Sequence, residues 1–185
     1  TRGQLLRAAA CALLVTGTVA GAGGGSIPLE RLRAYLRLDT SNPPGNEILG
    51  ANYLKGLLER EGVEAEIFEP EPGRASLCAR LRGTGREPGL LLHHHIDVVP
   101  ANAAGWQRPP FAAVLFNDVL LYGRGVLDTK GLGIAHLEAF LALKRSGKAL
   151  SRDVVFLATA DEERGGRLGV SAVFEKRPGW VAGVG

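Results

Sequence analysis

The chain has 185 residues, 45% of them hydrophobic and 22% charged, with a formal net charge of +3. This composition is that of an ordinary globular domain and excludes a disordered or low-complexity protein. The basic residues are scattered rather than run together, so the sequence carries no nucleic-acid footprint.

The first residues read as a secretory signal peptide. Arg2 and Arg7 supply a positive start, residues 8–19 are apolar, and Ala20-Gly21-Ala22 is a small-residue cleavage site. Residues 1–22 are therefore expected to be removed, leaving an exported chain (periplasmic or secreted) that begins near Gly23. The apolar stretch over residues 8–22 is 15 residues long, short of the roughly 20 that a spanning helix needs, so no stable membrane span is expected. The chain contains no methionine, so residues are expected to precede Thr1. With Cys11 in the signal, Cys78 is the one remaining thiol. It makes no internal disulfide and is expected to be a small buried hydrophobe.

After the joint Gly23-Gly24-Gly25, Ser26 and a first-turn Pro28 open a helix with Leu29, Leu32 and Leu36 on one stripe. Thr40-Ser41-Asn42-Pro43-Pro44-Gly45 is a loop. A second helix over 47–61 carries Ile48, Leu54, Leu57 and Leu58 on or near one face, and Gly62 ends it. Val63, Ala65 and Ile67 alternate as in a half-buried strand, and 76–82 is a further strand. The continuous run over 90–94 predicts a central strand covered on both faces. Residues 100–118 read as irregular, and 119–122 as a short strand leading into Gly123-Arg124-Gly125. A long amphipathic helix over 129–146 turns Ile134, Leu137 and Leu141 inward. A second continuous strand covers 153–159 and a helix 169–176. Helices interleaved with buried strands predict an α/β fold with sites at the carboxyl ends of the strands.

Three clusters fall at such ends: His95-Ile96-Asp97, Asp128, and Asp161-Glu162-Glu163. From His95 to Asp128 is 33 residues, and from Asp128 to Glu162 is 34. An imidazole and several carboxylates converging on one point form the donor set of a hydrolytic zinc site. His95 and Asp97, two apart in a strand, point the same way. His95 would bind metal while Asp97 holds the imidazole or supports the attacking water. His93 and His94, in an apolar strand, read as packed core residues. Asp128 reads either as a carboxylate bridging two metals or as the N-cap of the long helix. Adjacent acids repel unless a cation compensates. One glutamate as base and its neighbour as ligand is a workable division of labour.

Together, His95-Ile96-Asp97-Val98-Val99-Pro100, the segment 106–111, Gly-Arg-Gly-Val-Leu-Asp-Thr-Lys-Gly over 123–131 and Asp-Glu-Glu-Arg-Gly-Gly over 161–166 resemble the M20 family of co-catalytic zinc peptidases and amidohydrolases, which includes carboxypeptidases and aminoacylases. The resemblance runs from about Ser26 to Gly185. It implies an α/β/α zinc-exopeptidase-like catalytic domain with a largely parallel central sheet. It implies two Zn2+ ions, for which Co2+ or Mn2+ can substitute at so oxygen-rich a site. By the same resemblance His95 is a ligand of one zinc, Asp128 bridges both, Glu163 is a ligand of the other, Glu162 is the general base and Asp97 supports His95. The implied substrate is a peptide C-terminus or an N-acyl amino acid.

The resemblance also implies a further carboxylate ligand just beyond Gly185, a later histidine ligand, and an inserted smaller domain through which the full protein would form a homodimer. Residues 23–185 are therefore expected to be a partial catalytic domain truncated at its C-terminal end, without the dimerisation domain. The competing expectation is a catalytically inert fragment or a non-catalytic α/β module.

Overall fold

The computed structural model describes residues 26–185. The expected signal peptide and the glycine joint lie outside the described residues. Helix α1 (Ile27–Leu36) is followed by α2 (Glu47–Arg60), strands β1 (Ala65–Glu71), β2 (Arg74–Leu81) and β3 (Leu90–His95), a small hairpin of β4 (Val114–Phe116) and β5 (Leu120–Tyr122), helix α3 (Gly131–Ser146), strand β6 (Val154–Thr159), and the short helices α4 (Ala172–Lys176) and α5 (Pro178–Val181). Among the described residues no helix is long and apolar enough to cross a membrane.

The four-stranded sheet has the order β1-β2-β6-β3. Strand β6 is buried at every position. Its residues alternate between two cores, as the period of two along a strand requires. Val154, Phe156 and Ala158 face α1, α2 and α3, packing with Tyr35, Leu54, Leu58, Leu137 and Phe140. Val155 and Leu157 face the opposite core with Phe68, Cys78, Val173 and Trp180. Full burial of side chains of this size contributes about 1.5–3 kcal/mol each, so β6 is the axis of the fold. Cys78 is buried as expected, and burial pushes its thiol up to about 12.

The sheet is mixed, which corrects the expected largely parallel arrangement. Only β3 and β6 pair in parallel; β1–β2 and β2–β6 are antiparallel. The reason is connection length. Pro72 and Gly73 (φ 83°) join β1 to β2 in a tight turn, which closes only antiparallel strands, whereas parallel neighbours need a long crossover. That crossover exists between β3 and β6, where α3 provides it. A second correction concerns β3. It is an edge strand among the described residues, with Leu90 44% exposed, rather than a central strand covered on both faces. The stretch 100–118, read as irregular, contains β4. It pairs with β5 across a turn in which Asn117 and Asp118 both adopt positive φ, a conformation these two residue types tolerate.

Helix α3 begins at Gly131 and ends on Gly147 in the left-handed region. Before it, residues Val126–Lys130 form an irregular turn. Lys130 there is fully buried. Its ammonium donates to the carbonyls of Tyr35 (3.3 Å) and Leu38 (2.8 Å) and lies over the Tyr35 ring. Burial lowers its pKa to about 7, against the pull of Asp39 and Asp97. This one side chain fastens the end of α1 to the turn that carries Asp128. His94 is a core residue as expected: it is 2% exposed and packs on Phe156, with the Tyr35 hydroxyl 3.3 Å from its Nε2. His93 Nε2 pairs with the Thr159 hydroxyl at 2.9 Å.

Candidate metal centre

The parallel register places His95 beside Thr159, so β3 and β6 open onto the same edge of the sheet. His95 is the last residue of β3. Glu162 and Glu163 follow β6 by one turn of 3-10 helix, Glu162–Arg164. Asp128 comes to the same edge from the turn after β5. Donor atoms of His95, Glu162 and Glu163 lie within 4.8 Å of one another. His95 Nε2 is 2.9 Å from Asp128 Oδ1 and 3.8 Å from Glu162 Oε2. The fold thus brings together all four residues that the sequence offered as ligands or base. A cavity of about 640 Å³ opens beside them, with Trp106, Tyr122, Leu127, Asp128 and Glu163 in its wall.

Asp97 is fully buried at the back of the cluster. Its main-chain carbonyl accepts from His95 Nδ1 at 2.8 Å, while the carboxylate stands 3.5 Å from that nitrogen. The carboxylate's nearer partners are the main-chain N–H groups of Glu162 (3.1 Å) and Glu163 (3.0 Å) and the Asn42 side chain (2.8 Å). One residue therefore aligns the imidazole through its backbone and the Glu162–Glu163 turn through its side chain. The Thr129 hydroxyl bonds to both the main-chain nitrogen and the oxygen of His95 at 3.2 Å, holding the strand end against the Asp128 turn.

Asp128 is not an N-cap. It has extended backbone angles (φ −120°, ψ 94°), α3 starts three residues later at Gly131, and no side-chain cap bond is made there. Its carboxylate is 72% exposed and free to take cations on the side away from His95.

The electrostatics suit a cation. Burial works against a charged His95, yet hydrogen bonds to Asp97 and Asp128 outweigh it and raise the ring to about 9. Positive charge is thus favoured between His95 and Asp128, where a metal ion would supply it. Glu163 is raised by burial and by Asp128, Asp97 and Glu162, with His95 opposing; crowded carboxylates are relieved by a cation. For Asp97, burial disfavours the charge, but hydrogen bonds from His95, Asn42, Glu163 and Glu162 hold it below the ordinary carboxylate value. With Nδ1 of His95 committed to a carbonyl, Nε2 is the nitrogen left for metal, the usual arrangement of a ligating histidine. The donor set of one imidazole and three carboxylates fits one or two zinc-type cations.

Three residues behind the cluster were not picked out from the sequence. Asn42 lies in a segment read only as a loop, Glu47 is only the first residue of the second helix, and Arg74 falls between the two predicted strands. Glu47 is fully buried, Asn42 is 3% exposed, and the Arg74 side chain is 12% exposed. No spacing or motif marks them.

The wider relationships of the chain agree with this geometry. Residues 91–184, just over half of the chain, match the model of peptidase family M20/M25/M40. The chain is 32% identical over 151 residues to aminoacylase-1 of Sus scrofa, covering 81% of this chain and 37% of that protein. It is 37% identical over 137 residues to a probable succinyl-diaminopimelate desuccinylase of Staphylococcus aureus (strain MRSA252), covering 74% of this chain and 32% of that one. The crystal structure of an M20 family metallo-carboxypeptidase, Sso-CP2 from Sulfolobus solfataricus, superposes with a TM-score of 0.75 at 28% identity, covering 86% of this chain and 36% of that one. The chain thus spans about a third of the length of these relatives. The metal-ligand candidates His95, Asp128 and Glu163 all fall inside the matched segment, and the chain belongs to peptidase family M20/M25/M40.

Proposed function

We propose that this chain is the metal-holding part of a metal-dependent hydrolase of amide bonds, acting on N-acyl amino acids or on a peptide C-terminus. The observation that carries the proposal is the convergence of His95, Asp128, Glu162 and Glu163 on one sheet edge. The substrate class is supported by similarity to an aminoacylase, a desuccinylase and a metallo-carboxypeptidase. His95 would hold one cation through Nε2, Glu163 the other, and Asp128 would lie between them. Bound there, a pair of divalent cations polarises the scissile carbonyl and acidifies the attacking water. Glu162, with its side chain 55% exposed at the mouth of the cluster, takes the proton from that water and returns it to the leaving amine. Asp97 keeps the imidazole and the glutamate turn in register. The apolar wall of the adjoining cavity, with Trp106 and Leu127, would take the non-reacting part of the substrate.

Calorimetric titration of the chain with Zn2+, paired with hydrolysis assays on N-acetyl amino acids and short peptides, tests this reading. Saturable binding of up to two ions is expected, and no binding of any divalent cation would sink it. A second reading is that the 185-residue chain, which spans about a third of the length of these relatives, binds metal without turnover. Binding without hydrolysis selects this reading.

We also propose export through residues 1–22, on the strength of the basic start, apolar run and Ala20-Gly21-Ala22. N-terminal sequencing of the exported product should begin near Gly23; retention of Arg2 and Arg7 in that product would refute cleavage.

A further inference from the structure

Behind the metal-ligand candidates lies a buried chain of charged groups that the proposed chemistry does not use. Arg74, at the start of β2, donates from Nε and Nη2 to the two oxygens of Glu47, both at 2.8 Å. The same Nη2 donates to Asp161 Oδ1 at 2.8 Å. Glu47 in turn accepts the main-chain N–H of Asp161 at 3.2 Å. Asn42 Nδ2 bridges Asp161 Oδ1 (3.2 Å) and Asp97 Oδ2 (2.8 Å), and Asp97 receives the N–H groups of Glu162 and Glu163. A continuous path therefore runs from the guanidinium to the two glutamates.

We propose that the Arg74–Glu47 ion pair is a positioning device for the metal centre, holding through Asp161 and Asn42 the turn that aims Glu162 and Glu163. This rests on the reading of those glutamates as base and ligand. Asp161 has φ 68° and ψ 15°, the left-handed region, which a non-glycine residue keeps only when its surroundings over-determine it. The surroundings do so here. Its N–H goes to Glu47, and its carboxylate takes Arg74, Asn42 and, at 2.9 Å, the N–H of Leu168. Every one of those partners except Leu168 depends on the ion pair or on Asn42.

The pair is a poor source of plain stability. A buried ion pair pays a desolvation cost that well-packed apolar residues of the same volume avoid. Its geometry is what apolar residues lack: a planar fork that engages two carboxylates at once, which lysine cannot reproduce. Gly45 (φ 85°) also lies against it, where any Cβ would intrude on the guanidinium. At the other end of the same strand, Arg80 pairs with Asp153 at 2.9 Å with the same 12% exposure but has no hydrogen-bonded path to the metal cluster. The two pairs separate positioning from stability.

The test compares wild type, Arg74→Lys, Asn42→Ala and Arg80→Lys in the full chain. Each is titrated with Co2+, followed by visible absorption and calorimetry, alongside thermal unfolding. Arg74→Lys is expected to weaken cobalt binding by about 10–100-fold and to change the visible band, which reports ligand geometry. Asn42→Ala, which removes the link from Asp161 to Asp97 but leaves the ion pair and its bonds to Asp161 whole, should act in the same direction, and it decides the matter if Arg74→Lys does not fold. Arg80→Lys should lower the unfolding temperature while leaving cobalt affinity and spectrum unchanged. Wild-type cobalt affinity and spectrum in folded Arg74→Lys, or in Asn42→Ala where the lysine variant does not fold, would overturn the proposal. So would an equal loss of affinity in Arg80→Lys at equal stability. A wild-type chain that binds no cobalt overturns the metal reading itself and this inference with it.

Discussion

On the proposed reading, Glu162→Gln is expected to lower kcat for amide hydrolysis by about 100- to 10,000-fold, the usual contribution of a general base, with metal content unchanged. Glutamine keeps the shape of the side chain and removes its capacity to accept a proton. The main-chain N–H of Glu162 would still be held by Asp97 at 3.1 Å, so the turn keeps its place. Because the lost interaction belongs to the transition state, kcat and kcat/KM should fall together. Glu163→Gln is the control. Glu163 is the less exposed of the pair, and burial with three neighbouring carboxylates raises its pKa against the opposing pull of His95. Its substitution should lower metal content first and activity in consequence. Metal analysis by mass spectrometry alongside steady-state kinetics separates the two. If Glu163→Gln kept its metal and lost turnover, while Glu162→Gln lost metal, the two roles would be exchanged.

How much of this site the sequence disclosed follows from the topology. His95, Asp128 and Glu162-Glu163 were legible because two of the three clusters close apolar runs, and those runs are β3 and β6, parallel neighbours with His95 beside Thr159. Parallel strands deliver their carboxyl ends to one edge, so the spacing along the chain translates directly into proximity. Arg74 was illegible for the complementary reason. In a largely parallel sheet, the end of β2 near Leu81 would approach the site. In the sheet as it stands β2 runs antiparallel to β6, with Leu77 beside Ala158, and its beginning arrives there instead. The expectation of a largely parallel sheet and the missed arginine therefore share one cause. Asn42 and Glu47 were hidden differently. Turn-forming residues and a first-turn glutamate explain themselves locally, and their burial against Asp97 and Arg74 depends on contacts between residues 55 and 27 positions apart. Asp128 shows local propensity overridden. An aspartate before a long helix suggests a cap, but the turn Val126–Lys130 separates it from the first residue of α3 and leaves its carboxylate to His95.

Gly169→Ala is expected to destabilise the fold by about 1–3 kcal/mol or more, the cost of an overpacked contact, and to weaken metal binding as a consequence. Gly169 lies in the irregular turn Arg167–Ser171. A Cβ there would overlap the main-chain oxygen of Ala160, with the rest of that peptide behind it. The clash is with backbone, not with the tip of a side chain that could swing away. Nor is the Ala160 peptide free to yield. Its N–H donates to the Ser76 hydroxyl at 3.1 Å, and the next residue, Asp161, is held by Glu47, Arg74, Asn42 and Leu168. Relief must therefore come from moving the Ala160–Asp161 turn, which carries Glu162 and Glu163, or from moving the segment that supplies the Leu168 N–H. Either motion costs the left-handed Asp161 a partner. Chemical denaturation with and without saturating Zn2+ measures both effects. The variant should lose stability in the absence of metal and recover less on adding it than wild type does, because stabilisation by a ligand scales with affinity. A wild-type midpoint for Gly169→Ala would show that residues 167–171 yield freely. In that case the close approach of Gly169 to Ala160 would have no part in holding the glutamates in place.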